Sequence, residues 1–168
     1  MIHLLRIAVV ALAVAAPAAA QTYPGTPGGA LVLEVGINAP ASSPQSSTLN
    51  ASPNDSLFVS VSSPLVGVQG SPFFLLADFR FSAPTAPTFF TSDVWVGAGQ
   101  GPTALLVGPT PPLFAAVPIL PQGNHFVWAL PPSTLGVPLH IVLQAVTVVP
   151  TAISPSNYLA TDAIDVIF

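Results

Sequence analysis

Beyond the first 20 positions, the side chains that could do chemistry are two histidines, six carboxylates, many serines and four large aromatics. His125 and His140 could meet if their segments were neighbours, and Asp93 or Glu34 would then complete a zinc-type site. Two imidazoles far apart in sequence, with no tight local pair, fit hydrogen-bonded structural histidines better, so no metal ligand is assigned. Glycoside cleavage needs two facing carboxylates about 5 to 9.5 Å apart. Asp162 and Asp165 are three positions apart, point to opposite sides of a strand, and are expected to face solvent or a loop. A serine nucleophile on a strained elbow needs G-x-S-x-G, which is absent. Gly97-Ala98-Gly99-Gln100-Gly101-Pro102 lacks the last glycine of G-x-G-x-x-G, a lysine and a following helix, and reads as a turn. The chain has no cysteine, which removes thiolate metal sites and cysteine nucleophiles. The reading is therefore of a non-enzyme with no catalytic, cofactor-binding or metal residue. Trp95, Trp128 and Tyr158, with Tyr23 nearby, could offer flat faces to a glycan and form the candidate platform. Trp95 and Trp128 lie in expected strands, where a core role is the commoner one.

The elements that would position these residues are strands. Leu139 to Val149, L-H-I-V-L-Q-A-V-T-V-V, runs eleven residues without Gly or Pro in a chain holding 21 prolines among 168 residues. Both of its faces are mostly apolar, which marks an interior strand covered above and below. Leu31 to Ile37 alternates with period 2, and Leu57 to Val61 follows a long polar loop from Asn38 to Asp55. Leu65 to Gln69 reads as a further short strand. In Phe73 to Phe81, residues 73, 75, 77, 79 and 81 are assigned to the core. Asp78 and Arg80 on the opposite side are expected to form an exposed pair worth about 0 to 1 kcal/mol. Phe89 to Val96, Ala104 to Val107, Leu113 to Ile119, Asn124 to Leu130 and Leu159 to Phe168 supply the remaining strand material.

Met1 to Ala20 has the form of a signal peptide: Arg6, the apolar run Ile7 to Ala16, then Ala18 and Ala20 in an A-x-A cleavage pattern. Ile7 to Ala20 is too short for a membrane helix, which needs about 20 residues. Gln21 to Ala30, rich in Pro and Gly, reads as a loose lead. Removing 20 of 168 residues leaves 148, enough for one domain at 31–168. In that portion Arg80 stands alone against six acids, a net charge of −5 with His neutral. Nucleic acid and anionic lipid are excluded as partners, since both need clustered basic residues.

The segment P-P-S-T-L-G-V-P-L-H-I-V-L-Q-A at 131–145, S-N at 156–157 and an apolar last strand resemble the C-terminal β-sandwich domains of exported bacterial proteins of unknown function. G-S-P-F-F-L-L at 70–76 is similar to an earlier strand of those domains. The resemblance covers about 100 residues and implies an exported sandwich, with no catalytic residue to transfer.

The expected fold is an all-β, antiparallel sandwich, Ig-like or jelly-roll-like, of seven to nine short strands. The expected function is that of a secreted or cell-surface structural or adhesive protein. It would be exported to the envelope or beyond, use no cofactor, and associate with an extracellular protein or glycan without inserting in the membrane. The alternatives are a carbohydrate-binding module and a small outer-membrane β-barrel.

Overall fold

The computed structural model of the chain describes residues 23–42, 45–83, 94–96, 119–121, 124–130, 132, 136–150 and 153–168, and the backbone of 103–107. The segment Met1 to Ala20 expected to be a signal peptide, Asp93, the glycine cluster at 97–102 and most of the segment from Leu113 to Ile119 lie outside these residues. The chain is all-β: among the described residues there is no helix, hence none able to cross a membrane. Nine strands are present: β1 (Val32–Ile37), β2 (Thr48–Asn50), β3 (Ser56–Ser62), β4 (Phe74–Arg80), β5 (Thr103–Val107), β6 (Phe126–Ala129), β7 (His140–Val148), β8 (Tyr158–Ala160) and β9 (Ile164–Ile167).

They form two sheets. The smaller has the order β1-β3-β6, the larger β2-β9-β7-β4-β5, with β8 also paired to β7. β7 is the interior strand that its two apolar faces predict. Its odd residues Ile141, Leu143 and Ala145 join Leu75 and Ala77 of β4 and Ile164 and Val166 of β9. Opposite them stand Leu33 and Val35 of β1 and Leu57, Val59 and Val61 of β3, all in one apolar core. An outer-membrane barrel would be a closed ring. Here the described strands make two sheets with apolar side chains filling the space between.

Most of the departures from expectation have local causes. β2 lies inside the stretch expected to be loop, and it pairs with β9 in parallel, Leu49 opposite Val166. Three residues carry no periodicity, and the parallel pairing makes the larger sheet mixed rather than wholly antiparallel. Leu65 to Gln69 is a turn, not a strand: Val68 and Gln69 both donate backbone N–H to Leu65 O, and only Val68 of the run is buried. Phe81, assigned to the core, lies just past β4 and is 70% exposed. Val94 to Val96 are not in a strand.

The single strand expected from Leu159 to Phe168 is two, because the register slips between them. Val146 faces Ala160 but Leu143 faces Ile164, so residues 161–163 oppose only 144 and 145. That extra residue is a β-bulge. Thr161 holds the ladder together there, accepting the Ala145 N–H on Oγ1 while its own N–H bonds Ala145 O. The slip changes which parity points inward: Leu159 before it, Ile164 and Val166 after it. The bulge is thus what lets both apolar sets reach the same core.

Leu143 is fully buried at the centre of that core. Leu143→Ala is expected to lower unfolding free energy by about 2–5 kcal/mol. Urea denaturation followed by tryptophan fluorescence measures it, and a loss below about 1 kcal/mol would contradict the placement.

Candidate functional site

Polar side chains gather on the side of the larger sheet that faces away from the core. Strand periodicity sends the even residues of β4 and β7 there, together with Asp165 of β9. Antiparallel pairing sets Arg80 opposite His140, and sets Asp78 and Asp165 on either side of Val142. Arg80 Nη2 donates to Asp78 Oδ2 at 2.5 Å and to the Trp95 carbonyl at 2.8 Å. His140 Nδ1 lies 2.8 and 3.0 Å from the two Asp165 carboxylate oxygens. Gln144 accepts the Trp95 backbone N–H and donates to Thr161 O, each at 2.8 Å.

This group is covered, and Asp78, Gln144 and Asp165 have no exposed surface. The cover is made by Tyr23 to Thr26 and by Trp95 and Val96. Tyr23 O accepts the Ala163 N–H, Gly25 N–H donates to Asp162 Oδ1, and Thr26 exchanges two bonds with Ala160. Trp95 Nε1 donates to Pro24 O at 2.9 Å, and the Tyr23 and Trp95 rings meet edge to face with centroids 5.2 Å apart. Gly25 lies flush on the Ala160–Thr161 backbone, where any Cβ would collide. Residues 23–26 are therefore bonded into the fold and are not the loose lead their composition suggests.

Two expectations about site residues are corrected by this arrangement. Asp78 and Arg80 are a buried pair, not an exposed one, because the cover closes over the end of β4. Asp165 is buried against His140, and of the two nearby acids only Asp162, in the bulge, faces solvent. The two histidines do not converge: His140 is on the larger sheet, while His125 precedes β6 on the smaller and rests against Phe58. Among the described residues no group of three or more His, Asp or Glu side chains could hold a metal ion.

The aromatics are distributed rather than collected. Trp95 is buried in the cover, Trp128 is half-buried on the core side of β6, and Tyr158 is half-buried on β8. Sequence reasoning placed Tyr23 only as a possible glycan contact. Its role in closing the cover has no local signal, since its partners are more than 70 residues away.

On the outer side of the smaller sheet, Glu34 of β1 and Ser60 of β3 are direct cross-strand partners. Glu34, Phe58, Ser60, Asn124 and His125 line a cavity of about 60 Å³ there, roofed by Pro40 and Ala41. A larger groove of about 370 Å³ runs between β1 and residues 39–49, and Gln45 crosses into it to donate to Val35 O. No protein-family model matches the chain, and no curated protein or solved structure matches it.

The buried cluster has an electrostatic logic that can be tested. Burial, chiefly, and the negative charge of Asp165 push the Tyr23 phenol above its ordinary value of 10.0, with Arg80 opposing. A raised folded-state value means that stability is intact below pH 10 and is lost as pH rises through the folded value. Tyr23→Phe is expected to flatten the alkaline limb of a stability–pH curve, and an unchanged limb would contradict it. Arg80→Met strands the Asp78 carboxylate and is expected to cost about 3–5 kcal/mol. Adding Asp78→Leu is expected to recover most of that loss, as read by urea denaturation.

Proposed function

We propose that the chain is an exported, non-enzymatic β-sandwich, Ig-like or jelly-roll-like, that works by association as a structural or adhesive component of the cell envelope or its surroundings. The observation that carries this reading is where the charge lies. Asp78, Arg80 and Asp165 are buried, His140 is half-buried at their edge, and all four engage one another or the backbone beneath the Tyr23–Trp95 cover. Groups held in this way are structural. The three buried ones have no access to a substrate, and moving them to reach one would break the cover's bonds. The exterior that remains is charge-poor, with Val66, Phe81, Val127 and Val148 each more than half exposed. Such a surface suits a protein that rests against another body.

Export is supported by the form of Met1 to Ala20 and by the resemblance of 131–157 to domains of exported bacterial proteins. The glycan-binding alternative drew on Trp95, Trp128 and Tyr158 acting together, and their separation across two sheets and the cover gives it no added support.

Fractionation of the native source, followed by pull-down with residues 21–168, tests the proposal. The protein is expected in the envelope or extracellular fraction, retained by a component of it. Recovery in the cytosol, or turnover of a defined substrate by the purified chain, would overturn the reading.

A further inference from the structure

From the row that crosses the smaller sheet, we infer that Glu34, Ser60 and Asn124 bind a primary ammonium group, with the Phe58 and His125 rings forming one wall of the site. This rests on the association reading above and names the chemistry a partner presents, a lysine side chain or a free amine.

The register builds the site. Glu34 pairs with Ser60, and β3 pairs with β6 through Val59 and Phe126. One step further along that ladder brings His125 opposite Ser60. Val35, Val59 and Phe126, the alternate members, face the core, so Glu34, Ser60 and His125 share the outer side. A short side chain between two longer ones leaves a hollow above it, and the cavity of about 60 Å³ is that hollow.

Two features of the hollow stand out among the described residues. Ser60 is only 5% exposed, and its hydroxyl has no hydrogen-bond partner although it lines the cavity. A buried hydroxyl left unmade is a cost that a bound donor would remove. Glu34 is half-buried and has no lysine or arginine beside it among the described residues: the chain has no lysine, Arg80 is bound to Asp78 and Trp95 on the other sheet, and the basic group nearest to hand is the His125 imidazole lining the same hollow.

An ammonium head carries three donors and no acceptor. Three residues lining the hollow carry acceptors, the Glu34 carboxylate, the Ser60 hydroxyl beneath its floor and the Asn124 side-chain oxygen, whose amide nitrogen is engaged by Pro121 O. The Phe58 and His125 rings stand 5.0 Å apart and tilted by 51°, giving a π face on which a cation is stabilised.

Titration of untagged residues 21–168 with Nα-acetyl-lysine amide, followed by backbone and side-chain NMR, tests this without any partner protein. Saturable shifts are expected at Glu34, Ser60, Asn124 and His125, absent with the Nε-acetylated probe. Glu34→Gln is expected to weaken binding at least tenfold, and Asp55→Asn, an exposed acid elsewhere, to leave it unchanged. Ser60→Ala is expected to be at least as stable as the parent and still to bind more weakly, which separates a lost ligand contact from a damaged fold. Equal response to the neutral probe, insensitivity to Glu34→Gln, or saturation of the same residues by zinc or calcium ions and not by the amine would overturn the inference. A silent titration alongside intact envelope retention would remove this site and leave the association reading standing.

Discussion

A pleated sheet has two faces, and in this protein the second face of the larger sheet is the one that has to be solved. The inner face needs only apolar residues of the right parity, which β4, β7 and β9 provide. The outer face carries Asp78, Arg80, His140, Gln144 and Asp165, side chains that water would ordinarily satisfy. They are instead satisfied by one another and by the backbone of Trp95 and Thr161. Stripped of any one partner, a buried charge costs several kcal/mol, whereas the complete set is close to balanced. The short cover from Tyr23 to Thr26 and the Trp95–Val96 piece are therefore bonded into the fold rather than laid loosely over it.

This arrangement explains what the sequence could and could not convey. β7 was legible because eleven residues without Gly or Pro, apolar on both faces, have few other destinations than a sheet interior. β1 and β4 were legible from alternation, and β3 and β6 from short apolar runs between polar or proline-rich segments. The burial of Asp78 and Arg80 was not, because what buries them comes from residues 15 to 57 positions away, in segments whose local signal is proline and glycine. The bulge at 161–163 was hidden for a related reason: Leu159 and Ile164 have opposite parity, and only the structure shows that both point inward. β2 is too short to generate any pattern and is defined by its partner β9.

The candidate sites divide on the same physical ground. On the larger sheet each polar side chain named above has at least one internal partner, which suits a structural role. On the smaller sheet, among the described residues, the hydroxyl of Ser60 has none and the carboxylate of Glu34 has no lysine or arginine beside it, which suits a role completed by something from outside. Sequence alone could bring Glu34 and His125 into one sentence only as conceivable metal ligands. Their alignment in a single cross-strand row, with Ser60 between them, depends on the β1-β3-β6 order.

Native-state hydrogen exchange is the most direct probe of whether the cover is part of the folded unit. The Trp95 indole N–H and backbone N–H, together with the Ala163 N–H bonded to Tyr23 O, should exchange as slowly as the amides of β7, through global unfolding. Exchange at these positions on the timescale of exposed loops, while β7 stays protected, would contradict the account, because the charges beneath would then be open to solvent in the native protein.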